Sequence, residues 1–408
     1  MPAPSADFRL LFASRMLRLF ACGFLAVVLA LYLSALGFSE ARIGLLLTLT
    51  FLGDAAISLW LSTRADRWGR RRTLLLGAAL VVLGGAGMAA TDNFLLLAAA
   101  ATIGVISPTG SEVGPFLAVE QACLAHVTGD RERTRIFARY HVAGFTMSAL
   151  GAAGGGALAR ALQDAGWSAV ASYRALFWLY AGVGAVLALL SRRLSPAVEA
   201  RAPGERTGPV VSLFGLRESR GIVLRLGGLF SVDAFAGGFI VQSFLAYWFH
   251  KKFGADIASL GAIFFGANLL SGLSALAAAP LARRIGLVNT MVGTHLPSNI
   301  LLMLVPLMPT LGGAVAMLLA RHAIAQMDVP TRQSYVNAVV PAAERSAANG
   351  VTGTARQLGA ALAPVLAGPL LGSPALASAP FFICGGLKIL YDLALWRNFR
   401  ALKPPEEK

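Results

Sequence analysis

The chain has 408 residues, of which 56% are hydrophobic and 13% are charged, with a mean hydropathy of +0.67. This composition excludes a water-soluble domain of this length and indicates an integral membrane protein surrounded by the lipid bilayer. The formal net charge of +15 lies in short turns between apolar segments rather than on a nucleic-acid-binding element, so we expect no nucleic acid partner.

Apolar segments long enough to cross a bilayer recur along the chain. With a spanning length of about 20 residues, the first half is predicted to form helices at 14–36, 43–63, 73–91, 94–126, 136–162 and 172–191. The second half is predicted to form helices at 222–250, 256–281, 289–308, 311–340, 347–370 and 375–398. The sequence therefore predicts an all-α membrane protein with twelve transmembrane helices.

A polar segment and an uneven distribution of basic residues organise these helices. Residues 192–221 contain three prolines and are predicted to be a cytoplasmic linker between the bundles 1–191 and 222–398, with a cytoplasmic tail at 399–408. Because basic residues concentrate in the turns on one side, the positive-inside rule places both termini in the cytoplasm. We expect a multi-pass protein of the cytoplasmic, or inner, membrane.

The two halves also resemble each other in sequence. A set of positions recurs after one constant offset: Gly37, Gly44, Arg67 and Gly69 in the first half match Gly254, Gly261, Arg284 and Gly286. A constant offset across a helix, a turn and the next helix start indicates two homologous halves. We therefore predict two pseudo-symmetric six-helix bundles.

The strongly basic turn between the second and third predicted helices carries a recognisable pattern. A signature of glycine, three residues, Asp-Arg, one residue and Gly-Arg-Arg is matched by Asp66, Arg67, Gly69, Arg70 and Arg71. Ser62 stands in place of the leading glycine. The chain resembles the major facilitator superfamily in this turn and in its two six-helix halves. The resemblance covers nearly the whole chain. The resemblance implies the fold of that superfamily, transport by alternating access, and a conformational switch at these five residues.

Two features depart from patterns of the superfamily. Arg283 stands where the second copy of the turn would carry its acid. Many drug antiporters of the superfamily have an arginine in helix 4 and a Gly-Pro pair in helix 5, whereas this chain has Glu112 and Glu120 in helix 4 and no proline in helix 5. Antiport therefore does not follow from the resemblance.

Acids at mid-helix depth are candidate site residues, because a charge in hydrocarbon costs at least about 2.5 kcal/mol. Glu112 and Asp328 lie near equivalent positions of the two halves, each beside a proline. We interpret them as an acid pair that binds a cation or takes up protons, since desolvation favours the neutral carboxyl. Alternatively, bases neutralise them: Arg332 follows Asp328 by one helical turn, and Arg321 precedes it by two. Acids outnumber bases among the deep residues, which favours a cationic or neutral solute, while the two arginines leave an anionic solute open.

Other charged residues within the predicted helices have separate interpretations. Asp233 lies midway along helix 7, which lines the cavity in the superfamily, and is a candidate site residue. Asp54 in helix 2 is either a proton relay or the partner of a base at a helix interface. Glu120 is a candidate gate residue that pairs with an arginine. Lys388 and Asp392, one turn apart in helix 12, are expected to satisfy each other.

Cofactor chemistry finds no support in the sequence. The cysteines and histidines show no metal-ligand spacing, and His322, the one histidine expected at useful depth, is interpreted as a core residue. The chain has no Gly-x-x-x-x-Gly-Lys-Ser/Thr loop, so ATP is not its expected energy source. We predict no cofactor, no metal and no enzymatic activity.

These observations favour a monomeric secondary transporter that moves a small solute by alternating access. The leading hypothesis is proton-coupled export, with Glu112, Asp328 and Asp233 as protonation or substrate-binding acids. Proton-coupled uptake by the same residues is the alternative. A membrane receptor or assembly factor that does not transport is a hypothesis from another class, because a fold alone does not fix function.

Asp66 is the acid of the proposed conformational switch. We expect its carboxylate to hold the cytoplasmic side closed against the positive N-terminal end of helix 11, near residues 347–350. Asp66→Asn should therefore reduce transport and leave substrate affinity nearly unchanged. Paired flux and binding measurements check this, and lost binding with an unchanged population of the closed state would contradict it.

Overall fold

The structure, a computed structural model, describes residues 6–111, 114–127, 130–199, 216, 218–341 and 344–402. The side chains of residues 66, 125–138 and 346 lie outside this description. In the described part of the chain all regular secondary structure is helical, and nine spans are long and apolar enough to cross a membrane. The all-α membrane fold that the sequence predicts is confirmed.

The first half of the chain supplies the helices α1 to α7. They are α1 (Ala6–Ala35), α2 (Glu40–Trp68), α3 (Arg70–Ala90), α4 (Phe94–Ile103), α5 (Phe116–Val127), α6 (Asp130–Asp164) and α7 (Ala169–Arg192). A short 3₁₀ helix at Pro196–Val198 follows α7. Of the segment predicted as a linker, Arg192 ends α7 and Pro196–Val198 form this short helix.

The second half supplies the helices α8 to α15. They are α8 (Arg220–Gly238), α9 (Gln242–Phe253), α10 (Ile257–Ile285), α11 (Leu287–Leu304), α12 (Leu311–Ala325), α13 (Asp328–Val339), α14 (Arg345–Gly372) and α15 (Ala379–Phe399), with a 3₁₀ helix at Val305–Leu307. Three of the twelve predicted helices, the fourth, seventh and tenth, are each divided in two. The order of the remaining helices follows the prediction.

The break in the fourth predicted helix is the longest. A continuous helix over 94–126 is wrong, because α4 ends at Ile103 and α5 begins at Phe116. The intervening backbone takes positive φ at Val105 (54°) and again at Gly110 and Gly114. Prolines in this segment also remove the amide hydrogens that a helix requires. Glu112, the acid proposed for this helix, lies outside the described residues.

The other two breaks are shorter. The helix α8 ends at a pair of glycines, Gly237 and Gly238, and α9 starts four residues later. Between α12 and α13, Pro330 has no amide hydrogen to donate to the carbonyl of Gln326, so the helical ladder is interrupted there. Freed backbone groups within membrane-spanning segments are tolerated where protein or water can satisfy them.

Equivalent positions of the two halves share their backbone geometry. Gly69 and Gly286, directly before α3 and α11, have φ of 99° and 86°. Gly37 and Gly254, which precede α2 and α10, have φ of 84° and 66°. These values lie in the left-handed region that favours glycine. The repeat found in the sequence therefore corresponds to a repeat of turns.

The chain divides into two compact units. The first comprises Met1–Ser39, Leu49–Gly208 and Gly254–Phe265, and the second comprises Glu40–Thr48, Pro209–Phe253 and Gly266–Lys408. In the first unit α1 packs on α6 and α3 on α7; in the second α8 packs on α14 and α11 on α15. Residues 40–48 and 254–265 group with the unit that they pack against, and the domain boundaries expected from the sequence remain a prediction.

Small residues allow α1 and α6 of the first unit to approach closely. A methyl group built on Gly151 would overlap the backbone carbonyl of Phe20, and one on Gly23 would overlap the carbonyl of Ser148. Without side chains at these positions the two backbones are in direct contact. Such contacts replace the hydrophobic driving force that lipid surroundings weaken.

We expect Gly151→Ala to destabilise the first unit, because the added methyl group meets backbone that cannot rotate away. Overpacking of this kind costs about 1–3 kcal/mol. The matched control is Gly182→Ala on α7, where nothing lies within 4 Å of the added group. Thermal unfolding in detergent should show a lower melting temperature for the first variant alone, and equal values would contradict the packing argument.

Candidate functional site

A buried carboxylate of the second unit has several basic partners. Asp233 lies on α8 and is 3% exposed. Four helices each bring one basic or imidazole group to it, and with Asp233 these form what we call the Asp233 cluster: His295 (α11), Arg332 (α13), Arg356 (α14) and Lys388 (α15). Five helices of one unit therefore meet at a single acid.

The two oxygens of Asp233 have different partners. Lys388 Nζ donates to Oδ1 at 2.5 Å, and His295 Nε2 lies 3.8 Å from the same oxygen. Arg356 Nη1 donates to Oδ2 at 3.0 Å and Arg332 Nη1 at 3.4 Å. A carboxylate removed from water requires partners of this kind, because an unpaired buried charge is costly.

Glycines on α8 and α14 allow these two helices to pack closely enough for the contacts of Asp233. A methyl group on Gly359 would overlap the carbonyl of Ser231, and one on Gly238 would approach the carbonyl of Ala360. The two helices therefore touch through their backbones one turn from Arg356 and two residues from Asp233. This contact brings the Arg356 guanidinium within hydrogen-bond distance of the carboxylate.

Asp328, a predicted site residue, pairs with a base on its own helix. Arg332 Nη1 lies 2.9 Å from Asp328 Oδ2 and also reaches Asp233, so one guanidinium bridges the two acids. The sequence alternative, in which Arg332 neutralises Asp328, matches this geometry. Arg321 is on α12, beyond the break, and forms no ion pair with Asp328 among the described residues.

The expected pairing of Lys388 with Asp392 is wrong. Lys388 instead reaches Asp233, and Asp392 Oδ1 lies 2.8 Å from His295 Nδ1 while Asn299 Nδ2 donates to its Oδ2 at 3.1 Å. Helical spacing brings Lys388 and Asp392 to one face, but α8 and α11 each offer a closer partner. His295 therefore lies between two carboxylates, Asp233 and Asp392.

Three members of the Asp233 cluster were not predicted as site residues: Lys388, which was expected to pair with Asp392, Arg356 and His295. Arg356 is a base within the predicted eleventh helix, and the cost of an intramembrane charge was a signal that could have identified it. His295 lies within the predicted ninth helix, and only His322 was expected at useful depth. In the structure His322 Nδ1 lies 2.8 Å from Ser271 Oγ, away from any acid among the described residues.

A second buried ion pair lies within the first unit. Arg18 on α1 donates two hydrogen bonds to Glu120 on α5, at 2.9 and 2.8 Å. Ser14 Oγ donates to the same carboxylate at 2.7 Å, and the Tyr140 hydroxyl also donates to it. The arginine expected to pair with Glu120 is thus Arg18, and the bidentate geometry is the strong form of this interaction. The gate role of Glu120 stays a prediction.

Asp54 has a backbone partner. Its Oδ1 accepts a hydrogen bond from the amide of Gly114 at 2.5 Å and another from Ser58 Oγ at 3.3 Å. Among the described residues no base forms an ion pair with Asp54. The geometry therefore does not match the alternative in which Asp54 is the partner of a base at a helix interface. Asp54 instead satisfies an amide hydrogen freed by the break between α4 and α5.

The signature turn is capped by an acid that sequence analysis did not consider. Glu199 accepts hydrogen bonds from the amides of Arg70, at 2.6 Å, and of Arg71, at 3.2 Å, at the start of α3. The Arg70 side chain donates to the carbonyl of Val198 at 3.2 Å. An acid at a helix N-terminus compensates its unpaired amides and its dipole. Arg67 is exposed, and the switch role of this turn stays a prediction.

Repeated helical units, broken membrane helices and buried charges define a polytopic helical membrane protein with two related halves. The family model of the Major Facilitator Superfamily matches residues 11–320 and 227–408. The chain belongs to the Major Facilitator Superfamily. This membership supports secondary transport of a small molecule as its class of function and confirms the resemblance seen in the sequence.

Relatives extend over nearly the whole chain. An uncharacterized membrane protein of Saccharomyces cerevisiae, YJR124C, is 30% identical over 424 aligned residues, covering 96% of this chain and 93% of the relative. The nucleoside transporter NupG (D323A mutant) has a TM-score of 0.77 at 16% identity, with coverage of 96% and 99%. A D-xylose-proton symporter has a TM-score of 0.75 at 16% identity, with 98% of both chains covered. These two structures are similar in fold.

The human organic anion transporter MFSD10 is a further similar structure. Its TM-score is 0.64 at 19% identity, and the match covers 97% of this chain and 100% of that one. Solved transporters of different solutes thus share this fold.

The Arg18–Glu120 pair gives a stability prediction. Glu120→Gln leaves the Arg18 guanidinium buried without its counter-charge, which should cost about 3–5 kcal/mol. The double variant Arg18→Met, Glu120→Leu removes both charges and should recover most of that loss, because apolar replacement of a buried pair is often nearly neutral.

Asp164→Asn is the matched control, because its pair with Arg160 is exposed and such pairs contribute about 0–1 kcal/mol. The melting temperatures of these three variants in detergent are compared with that of the wild type. A double variant less stable than Glu120→Gln would show that the pair itself, rather than the uncompensated charge, carries the stability.

Proposed function

We propose that the protein is a proton-coupled secondary transporter that moves a small solute across the cytoplasmic membrane by alternating access. The observation that carries the proposal is the Asp233 cluster, in which one desolvated carboxylate interacts with bases from separate helices. Family membership supports transport, and relatives described as carrying nucleosides, D-xylose with protons, and organic anions have the same fold.

In the proposed mechanism, protonation of Asp233 changes how the helices of the second unit attract each other. The ionised carboxylate holds Lys388 and Arg356, which lie on α15 and α14. Neutralising it removes the charge that compensates both bases, so these helices become free to rearrange. Coulombic attraction is strong in a low-dielectric interior, so one proton suffices to shift the balance between two arrangements.

His295 is the proposed route of that proton. Its Nδ1 lies 2.8 Å from Asp392 and its Nε2 lies 3.8 Å from Asp233. Imidazole accepts a proton on one nitrogen and releases one from the other, which suits a relay between two acids. Asp392 would then receive protons from Asp233 or supply them to it.

The remaining predicted residues have proposed roles in the same cycle. Glu112 and Asp328 are proposed as acids of the two halves that bind protons or solute, and Asp54 as a secondary proton acceptor. The turn around Asp66 is proposed as the conformational switch, with Glu120 as a gate residue. An ion gradient is the proposed energy source and the monomer the proposed working form.

The central test is Asp233→Asn in proteoliposomes with an entrapped pH-sensitive dye. Candidate solutes come from a thermal-shift screen of metabolites and drugs, and solute-induced proton flux is then recorded under an imposed pH gradient. We expect the variant to lose proton flux and accumulation while retaining exchange of solute for solute. Asp92→Asn, at an exposed pair with Arg174, is the matched control and should behave as wild type.

Because Asp233→Asn leaves several bases without a counter-charge, His295→Gln serves as a second variant with the cluster charge preserved. It should slow proton flux and leave solute binding intact. Normal proton flux in both variants would refute proton coupling through this cluster, and absence of solute flux in the wild type would favour a receptor or assembly factor.

The direction of transport is measured in the same experiment. Export is the direction expected from the sequence, and uptake, which would use the same residues, is the alternative. In vesicles of right-side-out orientation with an inward proton gradient, expulsion of the solute establishes export and accumulation establishes uptake.

A further inference from the structure

Arg321 is a half-buried base without an acidic partner in the part of the chain that the structure describes. It lies on α12, and its Nε atom is buried with no hydrogen-bond partner among those residues. Arg332 and Arg356, by contrast, each contact a carboxylate. A guanidinium cannot lose its proton in a protein, so Arg321 keeps its charge whatever its surroundings.

The charges near Arg321 do not cancel. Arg321 interacts electrostatically with Asp233 and Asp328 but forms no hydrogen bond with either. Both acids are already engaged, Asp328 by Arg332 and Asp233 by the bases of the Asp233 cluster. Asp392 accepts from His295 and Asn299 instead. Among the described residues, the bases are Arg321, Arg332, Arg356 and Lys388 and the acids are Asp233, Asp328 and Asp392, so these side chains carry one excess positive charge.

A second unpartnered polar atom lies on the adjacent residue. His322 Nε2 is buried without a hydrogen-bond partner among the described residues, while its Nδ1 is 2.8 Å from Ser271 Oγ. If the Ser271 hydroxyl donates to Nδ1, Nε2 carries the hydrogen and is a donor. Buried donors without acceptors are costly, so each of these two side chains requires an acceptor of its own.

We infer that Arg321 binds the anionic group of the transported solute, which is therefore a small organic anion bearing a carboxylate or a phosphate. A guanidinium presents donors in a planar fork that matches the oxygens of either group. A cationic solute would add to the positive excess, and a neutral one would leave it uncompensated. This inference rests on the proposed transport function and assigns its substrate class.

Proton and anion should reinforce each other at this site. Protonation of Asp233 removes a negative charge from among the bases of the Asp233 cluster, which raises the positive excess and strengthens anion binding. Two ligands that bind cooperatively to one state also cross together. Anion binding that tightens at lower pH would therefore favour the uptake alternative over export.

The test compares solutes that differ only in charge. Purified full-length protein is titrated with acetate, hexanoate, benzoate and inorganic phosphate, with acetamide, hexanol and benzyl alcohol as neutral partners and benzylamine as a cation. Binding is followed by thermal shift and calorimetry at two pH values. We expect at least one anion to bind about tenfold or more tightly than its neutral partner, a ratio set by charge-assisted hydrogen bonding.

Arg321→Gln should abolish this preference, while Arg321→Lys, which keeps the charge but loses the fork, should retain part of it. Arg174→Gln is the matched control, because Arg174 already pairs with Asp92 at the surface. Neutral and cationic probes that bind as well as the anions would overturn the inference, as would no response to any anion. A variant Arg321→Gln that melts earlier but keeps the anion preference would show a structural role and overturn it too.

The proton-flux assay separates this inference from the proposed function. Suppose that a neutral solute shows proton-coupled flux, that Asp233→Asn abolishes this flux and that Arg321→Gln leaves it unchanged. This result would support the proposed transport mechanism and refute the inference that the solute is an anion. Anion binding that depends on Arg321, with no proton flux in the wild type, would support the anion site and refute proton-coupled transport.

Discussion

The desolvation of Asp233 is the constraint on which the second unit depends. A carboxylate that is 3% exposed inside an apolar helix bundle must be neutralised, and this chain neutralises it with groups from four other helices. Among the described residues, Arg356 and Lys388 form ion pairs with Asp233 alone, so these two bases are in turn unfavourable without the acid. The two carboxylate oxygens of Asp233 therefore link α8, α11, α13, α14 and α15. A change in the charge of Asp233 affects all five helices.

Close backbone contact is the condition that makes such a cluster possible. Lysine and arginine side chains can reach across a bundle, but only if the helices that carry them are near enough. Gly238 and Gly359 allow α8 and α14 to touch. The polar centre and the glycine-rich packing are consequently two aspects of one arrangement, since larger residues would separate the charges.

Much of the fold was predictable from the sequence because its signals are local. Hydropathy located the helices, and the repeated glycines identified turns such as Gly69 and Gly286, whose φ values agree. The cost of a buried charge identified Asp233 and Asp328. The partners of these acids were harder to predict, because they depend on which helices pack against each other. Lys388 and Asp392 are neighbours along α15 yet bond to other helices, and nothing in helical spacing reveals this.

The breaks in the helices show a related limit. Hydropathy alone treats residues 94–126 as one apolar stretch, whereas positive φ at Val105 and Gly114 divides it. The amide of Gly114 is then satisfied by Asp54, a residue far away along the chain. Such compensation is a property of the folded unit and appears only when the elements are assembled.

The glycine contacts between α1 and α6 have a consequence for how such a chain diverges. Leucines on the outer faces of the units, such as Leu83 and Leu95, are exposed, and hydrocarbon accepts any apolar side chain equally well there. The positions where backbones meet tolerate almost no change. Apolar exchanges on the outer faces should therefore cost little stability, whereas a side chain added at Gly23 or Gly151 should cost much more. A fold that depends on few positions is compatible with the 16% identity between this chain and a solved structure of the same fold.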